Sequence, residues 1–145
     1  MKRKLLYSSV GCATLILGAV LFVLWYFPGL TYHAVEFADG AGSWSDKYVT
    51  IYGIAVISSM VGYPSEEDAR KAFEDEAKRA ATIIKRAKNP DDHPNADEEI
   101  VGTFLDTDGV KRVSIIRLQK KDIYRVTAPS LRYALEFEKY VKRQK

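Results

Sequence analysis

Tyr48 to Tyr63 reads YVTIYGIAVISSMVGY, sixteen residues without a formal charge. How this stretch is placed decides the fold. As a membrane pass it would return the second half of the chain to the cytoplasm, but it falls short of the ~20 residues a spanning helix needs. It is rich in β-branched residues (Val49, Thr50, Ile51, Ile54, Val56, Ile57, Val61) and stops at Gly62-Tyr63-Pro64. That composition and length predict a buried strand, from about Lys47 to Ser58.

Downstream, Pro64-Ser65-Glu66-Glu67-Asp68 is a helix start. Ser65 can cap orphan N–H groups, Asp68 is placed to reach back, and three acids suit the positive end of the helix dipole. Ala69, Phe73, Ala77, Ala80, Ile84 and Ala87 recur at steps of three and four, which predicts a helix with one apolar stripe. Glu66/Arg70, Glu67/Lys71, Glu74/Lys78 and Asp75/Arg79 place the acid four residues ahead of the base. Lys85, Arg86 and Lys88 close this helix, and Asn89-Pro90 ends it. Three strands follow, near Glu99–Leu105, Val110–Leu118 and Ile123–Ala128, joined by Asp106-Thr107-Asp108-Gly109 and by Gln119-Lys120-Lys121-Asp122. A last helix starts near Pro129-Ser130 and runs to about Lys142.

Upstream, Thr31 to Ala38 alternates as a short strand, and Asp39 to Ser43 is a turn. The expected order is ββαβββα: one α+β domain, residues 31–145, with an antiparallel sheet packed by two helices.

Leu5 to Phe27, LLYSSVGCATLILGAVLFVLWYF, carries no formal charge over 23 residues. At ~1.5 Å per residue it would extend roughly 34 Å as a helix, against a hydrocarbon core of ~30 Å. Trp25-Tyr26-Phe27 resembles an interfacial belt, and Pro28-Gly29 is a stop. The expectation is an N-terminal transmembrane helix acting as a signal anchor in the lipid bilayer. Residues 1–4 would be a cytoplasmic basic tail and residues 28–30 a juxtamembrane connection, with the folded domain outside the cytoplasm. A cleavable signal peptide has a shorter apolar core, and a lipoprotein reading of Val10-Gly11-Cys12 leaves too little apolar sequence before Cys12. Gly11, Thr14 and Gly18 share one face of that helix, a pattern that supports weak homodimerisation.

Charge narrows the partners. The chain has 145 residues, 47% apolar and 28% charged, with a formal net charge of +3. Lys2, Arg3 and Lys4 account for that excess; the other 19 Lys and Arg face 19 Asp and Glu. The electrostatic footprint of a nucleic-acid-binding domain is therefore missing. Cys12 is the only cysteine, so residues 31–145 form no disulfide and no cysteine-based zinc site.

Candidates for chemistry are few. The chain has two histidines, His33 and His93. Asp91-Asp92-His93-Pro94-Asn95-Ala96-Asp97 departs from a calcium loop at Ala96, where Gly belongs, and at Gly102, where a bidentate Glu belongs. It reads as a solvated connector. No G-x-S-x-G, phosphate loop or H-E-x-x-H occurs. The sequence thus predicts no catalytic residues, metal site or cofactor.

Trp44, in a glycine-rich loop, either grips a partner or covers the sheet edge. Glu138 falls on the apolar arc of the last helix, where a buried acid needs a cation; Arg117 or Arg125 can supply it. Tyr133, Phe137 and Tyr140 flank that arc, and either widen the buried face or form an exposed aromatic strip. The leading expectation is a membrane-anchored, non-enzymatic interaction domain that contacts another membrane or envelope protein. The alternative is a membrane-tethered small-ligand-sensing module, with an enzyme third. A cleft with convergent polar groups favours the ligand module; a closed core with an exposed aromatic patch favours the interaction domain.

Overall fold

The uncharged stretch does not run as one strand. Thr50 is buried, and its Oγ1 accepts from the N–H of Tyr52 at 3.3 Å and of Ile54 at 3.2 Å. Gly53 adopts φ +76°, a conformation that costs a side-chain-bearing residue about 1–2 kcal/mol. Thr50 N–H donates to Ile54 C=O at 3.0 Å, which closes a turn. Two strands result, β2 (Ser43–Val49) and β3 (Ala55–Gly62), paired antiparallel from Val49↔Ala55 to Ser43↔Val61. This corrects the single strand expected over 47–58.

The structure is a computed structural model describing residues 14–23, 32–40, 42–50 and 52–144, with the backbone alone at 36–38. Residues 14–23 form helix α1. Before β2 runs β1 (His33–Gly40), paired to it antiparallel. After β3, Ser65 caps α2 (Glu66–Arg79) by accepting from Asp68 N–H at 3.1 Å. The helix stops where Ala80 turns extended, and Thr82 to Lys88 is strand β4. The helix expected to reach Lys88 is therefore a helix followed by a strand, because the β-branched Thr82 and Ile83 pair with the next strand instead of continuing the spiral. Then come β5 (Glu98–Leu105), β6 (Lys111–Gln119), β7 (Asp122–Ala128) and α3 (Leu131–Gln144).

The sheet is antiparallel throughout, in the order β1-β2-β3-β7-β6-β5-β4. Consecutive residues of a strand face opposite ways, and both faces are covered. Ala69, Phe73 and Ala77 of α2 pack with Ile100, Ile116, Leu118 and Ile123. Ala134 and Phe137 of α3 pack with Tyr32, Val56, Val101, Ile115 and Ala128. The α+β domain is thus three layers, helix on sheet on helix, in the order βββαββββα from residue 33 onward.

The N-terminal expectation needs correction. No helix among the described residues is long and apolar enough to cross a membrane. Of the span expected over residues 5–27, only residues 14–23 are described, as helix α1. That expectation rested on the uncharged run, its aromatic belt and its Pro-Gly stop, and no described helix meets the length and apolarity it requires. The expected basic tail at 1–4, the connection at 28–30, and Gly11 and Cys12 lie outside the described residues.

Candidate functional site

Register sets the first contact of the site. Glu99 of β5 and Arg117 of β6 are directly paired positions, on the sheet face that α3 covers. Arg117 Nε donates to Glu99 Oε2 at 2.7 Å. From α3, Glu138 projects onto the same guanidinium: Arg117 Nη1 and Nη2 donate to its two carboxylate oxygens at 2.5 and 2.6 Å. Lys85 of β4 closes the far side, 3.2 Å from Glu99 Oε1. His93 Nε2, from the β4–β5 loop, stands 3.3 Å from Glu138 Oε2.

These charges are largely removed from water; the side chains of Glu99, Glu138 and Arg117 are 6, 11 and 14% exposed. Burial opposes the Arg117 charge, but Glu138 and Glu99 outweigh it and hold the guanidinium above its ordinary range. Burial also works against the Glu99 charge, yet Arg117 and then Lys85 leave its carboxyl below the usual range. Burial first, and then the Arg117 charge, push His93 down, with Glu138 opposing. At neutral pH the imidazole is therefore uncharged.

The network forms one wall of a cleft of about 590 Å³ between α3 and the sheet. Trp44, Tyr124, Val126, Phe137 and Val141 line its apolar part; Ser58, His93, Arg117, Gln119, Glu138 and Lys142 bring polar groups. Lys142 Nζ donates to the Asp92 carbonyl at 3.2 Å, which ties the end of α3 to the His93 loop. A second cleft of about 450 Å³ lies between α3 and the β4–β5 side, sharing His93, Arg117, Glu138 and Lys142. Both are of a size and apolar character that suit a small organic molecule.

Each residue singled out from the sequence can now be placed. Glu138 takes Arg117 as its cation. Arg125 pairs with Glu76 of α2, on the other side of the sheet, and lies 5.7 Å over the Phe104 ring. Trp44 is half-buried, across from Met60, at the edge of the larger cleft. Phe137 is buried, and Tyr140 packs with it in an aromatic cluster that includes Tyr32 and Tyr48. Tyr133 is half-buried beside them, and its carbonyl accepts from Tyr32 Oη at 3.4 Å. These three aromatics of α3 widen the core and form no exposed strip. A Cβ placed on Gly18 would meet nothing within 4 Å, and Thr14 shares α1 with it, while Gly11 is not described.

Sequence reasoning missed Glu99 and Lys85, and weighed His93 only as part of a calcium-like loop. Adjacent acids, Glu98-Glu99, opening an apolar strand were the available signal. Both are buried on opposite faces, Glu98 against Arg86 at 2.6 Å and Glu99 against Arg117. The loop carrying His93 is mostly exposed, as a solvated connector is, and it also borders the cleft through the half-buried His93. No group of three or more His, Cys, Asp or Glu among the described residues is placed to hold a metal ion.

No family model, curated protein or solved structure matches this chain. The site is therefore read from its own chemistry. Its cations and carboxylates are tied to one another, and its apolar wall lies open, an arrangement suited to binding and orienting a molecule.

Proposed function

We propose that this chain is a small-ligand-binding module and that its site is the larger cleft under α3. One observation carries the reading: polar groups from β6, α3 and the β4–β5 loop converge on a mainly apolar cleft of about 590 Å³. The competing interaction-domain reading draws on an exposed aromatic strip, and Tyr133, Phe137 and Tyr140 turn inward instead. The Arg117–Glu138 pair fixes the cleft's polar end before any ligand arrives, which lowers the ordering cost of binding.

A fragment screen by protein-observed NMR on the full chain tests this. Bound fragments are expected to shift the Trp44 indole and the backbone amides of His93, Gln119 and Tyr124 together. A Ser58→Trp variant, which places an indole in the cleft, is expected to remove those shifts while other surface hits persist. A library that leaves all four positions unperturbed at millimolar concentration would overturn the reading.

A further inference from the structure

We infer that the cleft under α3 takes an organic anion, with a planar apolar body lying along Trp44, Tyr124 and Phe137 and its acidic group at the end marked by Arg117 and Lys142. The inference rests on the reading of the cleft as a ligand site and adds the charge of the ligand to it. Hydrogen-bonding capacity decides the sign of that charge. Each of the four carboxylate oxygens of Glu99 and Glu138 already faces a cation: Lys85 and Arg117 for Glu99, Arg117 twice for Glu138. Each of these carboxylate charges is therefore already compensated by a cation.

The donors are not spent. A guanidinium has five N–H groups and an ammonium three. Arg117 commits three of its five, and Lys142 commits one of its three to the Asp92 carbonyl. Arg125 also lines the cleft, but its guanidinium is held by Glu76. The remaining acid of the lining, Asp92, is exposed on the loop beside His93, where water screens its charge. Among the charged groups of the cleft, the uncommitted N–H donors thus lie on Arg117 and Lys142.

The field points the same way. At the His93 ring the two cations outweigh the two carboxylates: Arg117 acts more strongly than Glu138, and Lys142 more strongly than Glu99. An acidic group beside His93 enters a positive potential. Aromatic side chains from two strands and one helix favour a flat body over a branched one.

Two fluorescent probes separate the inference from the reading beneath it. 8-Anilinonaphthalene-1-sulfonate and N-phenyl-1-naphthylamine share one aromatic body and differ by the sulfonate. Titrated against the full chain at low salt, the sulfonate is expected to bind about tenfold more tightly, the size of one charge-assisted hydrogen bond. Lys142→Met, at an exposed position, should reduce that ratio to about threefold or less, and Lys142→Arg should restore it. Raising the salt should narrow the ratio as well. Both probes are expected to lose this binding in Ser58→Trp. Equal affinities, or a ratio indifferent to Lys142→Met, would overturn the anion assignment while leaving a ligand cleft in place. Failure of both probes to show any Ser58→Trp-sensitive binding would overturn the cleft reading and this inference with it.

Discussion

Arg117 is the residue on which stability and binding meet. It holds two carboxylates that come from different elements; without it Glu138 would be left buried beside an uncharged His93, and Glu99 with Lys85 alone. Arg117→Met is expected to destabilise the chain by about 3–5 kcal/mol in urea unfolding, and adding Glu138→Leu should recover part of that loss. A single variant costing below ~1 kcal/mol would show that the network contributes little. Acid should act through the same residues. The His93 pKa is lowered in the folded chain, so the unfolded chain takes up a proton near pH 6.5 that the folded one refuses. Stability therefore begins to fall as the pH drops through that value. The Glu99 pKa is also lowered, so its contribution is present above its ordinary 4.5 and is lost as pH falls through the folded value. Urea midpoints at pH 7, 5.5 and 4 should decline stepwise. His93→Gln should flatten the upper step and Glu99→Gln the lower; midpoints unchanged from pH 7 to 4 would contradict both assignments.

Among the elements, the turn between β2 and β3 is the one whose chemistry is least conventional. Two backbone N–H groups depend on the Thr50 hydroxyl, and Thr50→Val keeps the shape while removing that acceptor. The expected cost is about 1–3 kcal/mol by denaturant unfolding, and Gly53→Ala, at φ +76°, should cost about 1–2 kcal/mol. If both changes are neutral, the chain does not turn on the Thr50 hydroxyl. This turn also explains what the sequence hid. The hairpins of β5, β6 and β7 are legible because Asp106 to Gly109 and Lys120-Lys121 interrupt the apolar runs with glycine and charge. Thr50-Ile51-Tyr52-Gly53 breaks its run with β-branched and aromatic residues, so only Gly53 betrays it. The start of α2 is legible from Ser65 and the acids behind it. Its end is not, because Lys85, Arg86 and Lys88 look like basic residues closing a helix. Their actual use is different: Lys85 and Arg86 lie on opposite faces of β4 and reach Glu99 and Glu98 respectively. The Glu138–Arg117 pair is legible because helical periodicity puts an acid on an apolar arc. Glu99 and His93 join it only through strand register and a loop path, and neither leaves a local pattern.

Across the whole molecule, the layers divide the sheet into a protected centre and open edges. Strands β6 and β7 are sandwiched between α2 and α3, and β5 is buried on both faces over Glu98 to Gly102. The edge strand β4 is exposed along nearly all its length, and β1 forms the opposite edge. Between Ile83 and Lys85 the β4 register shifts, and Lys85, Arg86 and Lys88 crowd the strand with charge. A bulge and basic side chains are the usual means by which an open edge resists pairing with another chain. They also leave β4 with little apolar burial to hold it in place, apart from its ladder to β5 and its ion pairs with Glu98 and Glu99. Hydrogen exchange should display this division directly. Amides of β6 and β7 are expected to exchange only through global unfolding, with the full stability measured by urea, whereas those of β4 should open locally at a lower free energy. Because Arg86 links β4 to both Glu98 and Glu74, Arg86→Met should lower the β4 opening free energy further while leaving β7 protection relative to global stability unchanged. Equal protection in β4 and β6 would mean that the edge strand is held as firmly as the centre, and that the ion pairs on its two faces suffice to make the sheet one cooperative unit.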